Sequence, residues 1–197
     1  MGNNKKAAIV PWAAGYLEPK RQYRWILQFG NVNDEAIPQY IVKTATQPGY
    51  EVTEAEHSYI NHTFYYPGRV RWNEITVTLV DPVSPDATNL LYSYLKQSGY
   101  VLPDNVPAGG TTDTVTKARA VFGVGNWRLV KFGSAPDDRQ ASDALSFPAD
   151  KELEEWTLQN AWIKNVDFGN LDYTSDEILE ISLTIRYDWA VHKLLAE

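Results

Sequence analysis

The feature that most constrains this chain is a run of strict apolar–polar alternation near its C-terminus. Leu179, Ile181, Leu183, Ile185, Tyr187 and Trp189 fall on one face, while Glu180, Ser182, Thr184, Arg186 and Asp188 fall on the other. Period two belongs to a half-buried β-strand, because successive side chains leave a pleated strand on opposite sides. A helix would scatter the same residues around its circumference. The pattern predicts one long strand over 179–189 and a sheet with one dry face.

The same period recurs along the chain. Tyr23, Trp25, Leu27 and Phe29 oppose Arg24 and Gln28 over 21–30, which Gly30 and Asn31 end. Residues 39–46 predict a short strand, followed by a turn at Gln47-Pro48-Gly49. Trp127 to Phe132 predicts a strand, and so does Lys151 to Gln159, where Leu153, Glu155 and Thr157 face away from Glu154, Trp156 and Leu158. Aromatic residues make up 13% of the chain, with seven Trp and twelve Tyr. That excess suits strands and interfaces.

Between these lies a long extended stretch from Tyr50 to about Tyr65, a predicted turn at Tyr66-Pro67-Gly68, and a return strand from Val70 to Asp81. Its outgoing arm is polar: Glu51, Thr53, Glu54, Glu56, His57, Ser58 and Asn61. A polar extended hairpin finds no burial inside a small domain. It stands in solvent or pairs with another copy.

One helix is announced clearly. Ser84 suits an N-cap, Pro85 the first helical position and Asp86 the positive end of the dipole. Ala87, Leu90, Leu91, Tyr94 and Leu95 then share one face, and Gly99 suits the C-terminal cap. A short helix is also expected over Thr114–Val121. The fold class is therefore mainly β: an antiparallel β-sandwich or open barrel with one packed α-helix and a long polar hairpin. Residues 1–20 read as an N-terminal arm, and 21–197 as a single domain with a loop-rich insertion at about 101–150.

Chemistry is mostly excluded. There are no cysteines, which removes disulfides, thiolate metal sites, iron–sulfur clusters and a cysteine nucleophile. The net charge of −7 disfavours general nucleic-acid binding. His57 and His62 lie five apart on an extended segment, which predicts opposite faces and no shared metal. Gly123-Val124-Gly125-Asn126-Trp127-Arg128 begins like a dinucleotide loop, but Arg128 stands in place of the third glycine and a strand follows. No cofactor is expected. The pairs Glu54/Glu56 and Glu154/Glu155 admit acid–base work, yet solvated strand positions account for them. Arg69, Arg71 and Trp72 beside Tyr65 and Tyr66 combine charge with stacking surface, as edge protection or as a single-strand binder. No secretory signal and no membrane-length apolar run is visible, so a soluble protein made in a cytoplasm is expected.

The order of segments carries a resemblance. Lys43-Thr44-Ala45-Thr46-Gln47-Pro48-Gly49 and the polar hairpin precede Asn73-Glu74-Ile75-Thr76-Val77-Thr78-Leu79-Val80-Asp81, then a helix. The chain closes on Gly169-Asn170-Leu171-Asp172-Tyr173, Ser175-Asp176-Glu177-Ile178 and a strand ending Arg186-Tyr187-Asp188-Trp189. This order resembles the major tail tube protein of contractile-tailed bacteriophages, over roughly 21–99 and 151–189. The loops at 101–150 and the extension at 190–197 depart from it.

The resemblance implies a structural subunit, not an enzyme. It implies hexameric rings that stack into a tube in the virion tail. Partners would be other copies, the tail sheath protein, the baseplate or tube initiator, and the tape measure protein, with DNA passing through the lumen unbound and no membrane involved. Under it, Glu51, Thr53, Glu54, Glu56, His57, Tyr59 and Asn61 become candidates for an inter-subunit hairpin. Glu51, Glu54, Glu56, Glu154 and Glu155 become candidates for an acidic lumen that repels phosphate. The alternatives are a carbohydrate-binding β-sandwich using surface Trp, a tube initiator or terminator, and an enzyme built on a carboxylate pair.

Overall fold

The computed structural model describes residues 20–28, 37–102, 114–133 and 152–195. The expected arm, apart from Lys20, and most of the expected insertion lie outside these residues. Ten strands are present among the described residues: β1 (Trp25–Gln28), β2 (Val42–Ala45), β3 (Tyr50–Tyr59), β4 (His62–Trp72), β5 (Ile75–Val80), β6 (Trp127–Phe132), β7 (Glu152–Gln159), β8 (Trp162–Asp167), β9 (Glu180–Arg186) and β10 (Trp189–Leu194). Two helices, α1 (Ala87–Gln97) and α2 (Lys117–Val124), lie between β5 and β6.

The strands form two four-stranded sheets, ordered β1-β6-β7-β10 and β2-β5-β9-β8, plus the separate ribbon β3-β4. All pairings are antiparallel. In the second sheet Ile75, Val77 and Leu79 stand opposite Ile185, Leu183 and Ile181. All six are buried, so the alternation read in the sequence becomes one dry face. The first sheet contributes Leu27, Trp127, Leu129, Leu158 and Ala190, and α1 contributes Ala87, Leu90, Leu91 and Tyr94, to the same contiguous core. Full burial of each large aliphatic side chain stabilises the fold by about 1.5–3 kcal/mol.

The mainly antiparallel fold with a long hairpin agrees with the expectation, and four details correct it. First, the strand expected over 179–189 is two strands in different sheets. The chain turns at Tyr187–Asp188, where the Asp188 amide donates to the Gln159 carbonyl at 3.0 Å. The turn shifts the phase by one residue, so Ala190 is buried and Trp189 is not. Second, the return strand expected over 70–81 is likewise divided, at Asn73–Glu74.

Third, the hairpin turns at Ile60–Asn61 rather than at Tyr66-Pro67-Gly68, since Tyr59 pairs with His62 and Glu54 with Pro67. Pro67 and Gly68 border a register shift inside β4, and bulges accommodate both residue types. Fourth, α1 starts two residues later than Pro85. The Ser84–Pro85 peptide is cis. Asp86 is the N-cap and accepts the Asn89 amide at 3.0 Å. Asp81 assists by accepting from the Ala87 amide and the Thr88 hydroxyl. The short helix expected at 114–121 lies at 117–124, capped by Thr116, so the described residues hold two α-helices where the fold class named one.

Candidate assembly surfaces

The ribbon β3–β4 runs for about 30 Å at the usual rise per residue. Apart from Thr53 and Trp72, every side chain on it is exposed. It is anchored at its base, where the Asn73 amide donates to the Gly49 carbonyl at 2.8 Å and the Trp72 ring lies 5.6 Å from Tyr50 and 6.0 Å from Tyr187.

The register sorts the hairpin residues onto two faces. Tyr59, His62, His57, Phe64, Ala55 and Tyr66 share one, and Ser58, Thr63, Glu56, Tyr65, Glu54 and Pro67 share the other. The outer half is thus aromatic on one side and acidic on the other. The turn at Ile60–Asn61 also overturns the reading of the two histidines. Reversing the chain between them brings His57 and His62 to the same face as diagonal neighbours. No cluster of three or more metal-ligating side chains exists among the described residues.

The five candidate lumen carboxylates divide into two groups. Glu51, Glu54 and Glu56 are exposed on β3. Glu154 and Glu155 lie on β7 and are held by cations. Glu154 is only 6% exposed and takes Lys131 Nζ at 2.7 Å, Lys20 Nζ, and His192 Nε2 at 3.6 Å. Burial pushes its pKa up, but hydrogen bonds from Lys131 and Lys20 outweigh this and bring it down to about 2. Glu155 accepts from Arg128 through Nε at 2.8 Å and Nη2 at 2.9 Å, which holds its carboxyl below the usual range.

A cleft of about 540 Å³ opens beside the ribbon's base, lined by Arg71, Trp72, Lys117, Trp162, Arg186 and Asp188 among others. Asp188 accepts from Lys117 at 2.6 Å and from Asn160 at 2.8 Å, and these contacts, Lys117 first, lower its pKa. Arg186 lies 3.6 Å from Glu74, which also takes Lys164 at 2.6 Å. The rims of the sheets are β1 and β10 in the first, and β2 and β8 in the second.

No family model and no curated protein matches this sequence. Solved structures do. A chain of the anti-feeding prophage tube terminating cap superposes with a TM-score of 0.59 at 16% identity, over 95% of this chain and 99% of that one. A chain of the anti-feeding prophage baseplate gives 0.57 at 13%, over 90% and 97%. A chain of the sheath–tube complex of the extracellular contractile injection system PVC, in its extended state, gives 0.55 at 17%, over 95% and 99%.

The chain has a contractile-tail fold.

The resemblance read in the sequence is thereby borne out at the level of fold. The match spans 95% of this chain at 16–17% identity, so the likeness is one of fold and not of sequence. The cleft had only half a signal in the sequence. Arg71 and Trp72 stand out in the sequence as charge beside stacking surface, but Trp162 and Arg186 join them through sheet topology. The sugar-binding alternative needs exposed indoles. Among the described residues Trp189 alone is exposed, while Trp127 is buried and Trp25, Trp72, Trp156 and Trp162 are half-buried. Glu54 and Glu56 stand on an exposed ribbon and do not line this cleft.

Proposed function

We propose that this protein is a structural subunit of a contractile tail tube. Copies assemble into hexameric rings, and the rings stack inside a sheath to form a conduit for genome delivery in the virion tail. The sheath protein, the baseplate or tube initiator and the tape measure protein are its partners, and DNA passes without being held. The observation that carries this reading is the ribbon β3–β4, exposed on both faces and too long for the domain that bears it. Such a ribbon offers backbone edges and aromatic surface to a neighbour. Glu51, Thr53, Glu54, Glu56, His57, Tyr59 and Asn61 are its inter-subunit residues in this reading.

The acidic-lumen proposal covers Glu51, Glu54, Glu56, Glu154 and Glu155. Cations offset the last two, so repulsion of a polyanion rests chiefly on the three ribbon carboxylates. A basic lumen in an assembled tube sinks it.

The test is negative-stain electron microscopy across a concentration series. Stacked rings with a central channel are the expected result. Single closed rings that never stack favour the second reading, a tube terminator, which draws on the likeness to a chain of a tube terminating cap.

A further inference from the structure

The strand pair β8–β9 ends in two unlike features. Trp162 begins β8, Arg186 ends β9 and Tyr187–Asp188 follow it, and these residues line the cleft described above. At the opposite end, loop 168–179 joins the two strands. At about 3.3 Å per residue, six residues of strand separate loop and cleft by about 20 Å.

The loop is apolar where a loop is usually polar. Leu171 is 88% exposed, Tyr173 fully so and Ile178 69%. Its charged residues are Asp172, Asp176 and Glu177, with no Lys or Arg. Its own hydrogen bonds shape it. The Asp172 carboxylate accepts from the Thr174 amide and hydroxyl, and the Ser175 hydroxyl accepts the Glu177 amide at 3.2 Å. Gly169 has φ +77°, and a Cβ there would meet the Glu180 carbonyl at 2.6 Å. An ordered loop that leaves three large apolar groups uncovered is preorganised for a partner.

The cleft has the complementary chemistry. Arg71, Lys117 and Arg186 stand against one carboxylate, Asp188. Lys117 is engaged by Asp188. Arg71 makes no ion pair among the described residues, although Glu51 is its register partner. Trp72 and Trp162 supply apolar walls, and Val70 and Val115 are exposed on the lining. A cationic, indole-walled cleft on a chain of charge −7 is matched by an acidic loop bearing an aromatic tip on the same chain.

We propose that loop 168–179 of one copy docks in the Trp72–Trp162 cleft of the next, with Tyr173 and Leu171 against the indoles and Asp176 or Glu177 facing Arg71. One copy cannot satisfy both halves, because they lie at opposite ends of the same strand pair. The contact is head-to-tail, the kind that builds rings or stacks. It adds a named joint to the tube reading, though it requires only a second copy.

The absence of cysteine allows a direct test. Full-length Tyr173→Cys is mixed with full-length Val115→Cys under mild oxidation, and the disulfide-linked dimer is measured. The control partner is Tyr40→Cys, exposed but away from the cleft. The expected excess over control is about tenfold, since close interfacial charge pairs couple at that scale. Arg71→Glu on the Val115→Cys partner should abolish the excess, and Glu177→Lys on the Tyr173→Cys partner should restore it. A yield equal to control overturns the inference, whatever the microscope shows. Tubes without the excess leave the tube reading standing and remove this joint, whereas monomers with the excess do the reverse.

Discussion

The Thr53 hydroxyl oxygen accepts the Arg69 amide at 2.8 Å across the ribbon. This bond sits in the bulge where β4 spends Gly68 and Arg69 against Thr53 alone, between the pairs Val52–Val70 and Glu54–Pro67. A Cβ on Gly68 would meet Thr53 Oγ1 at 2.5 Å and its carbonyl at 2.8 Å. Gly68→Ala should therefore open the bulge without touching the core. Amide exchange at Arg69 should rise sharply while Tm moves by no more than a few degrees. A large fall in Tm would show that the ribbon supports the domain.

The ribbon's independence has a blunter test. Excising Ala55–Tyr66 and joining Glu54 to Pro67 through Asn-Gly keeps the base pairing and supplies a favoured hairpin turn. The shortened protein should fold with a near-unchanged urea midpoint and fail to polymerise. Tubes from the shortened chain would refute the connector role.

Ile60 sits at the ribbon's tip with φ 54°, a left-handed conformation that a β-branched residue disfavours. Ile60→Asn should relieve about 1 kcal/mol of local strain. Slower amide exchange around the turn is the readout. If the apolar tip serves assembly, the same variant should polymerise less despite its tighter turn.

Acid should destabilise the protein in a definable window. The folded pKa of Glu154 is about 2. The unfolded value is about 4.3. A depressed pKa contributes stability above the unfolded value, and that stability is lost as pH falls through the folded one. Glu155 and Asp188 shift in the same direction. The urea midpoint should thus decline from about pH 5 toward pH 2. Glu154→Gln should flatten part of that decline and lower stability at pH 7, because Lys131 loses its charged partner.

Two leucines separate folding from docking. Leu183 is fully buried opposite Val77. Leu183→Ala should cost about 2–5 kcal/mol of stability. Leu171 is exposed, so Leu171→Ala should leave the urea midpoint within about 0.5 kcal/mol of the parent protein. It should nevertheless weaken the disulfide capture described for Tyr173→Cys.

Local pattern was legible in the sequence wherever one strand face meets the core. The Ile75–Leu79 and Ile181–Ile185 alternations are legible because burial imposes period two on both. Corners were not legible. The apolar–polar rhythm runs through Tyr187–Asp188 and into Trp189, and only pairing reveals that the chain changes sheets there. Turn chemistry misleads at the hairpin, because Pro67-Gly68 serves a bulge while Ile60-Asn61, with a β-branched residue at its first position, makes the reversal. In the sequence the Glu154 cluster shows only as a carboxylate pair, since Lys20, Lys131 and His192 reach it from distant segments.

The seat of the ribbon has a mechanical meaning. Trp72 is gripped between Tyr50 and Tyr187, and Tyr187 occupies the corner where the chain leaves one sheet for the other. Trp72 is therefore a fulcrum. A load applied at Ile60 acts through an arm of about 30 Å and arrives at the Tyr50–Trp72–Tyr187 aromatic cluster. Force taken up by the ribbon meets Tyr187 first, the residue through which the chain passes from β9 of one sheet to β10 of the other.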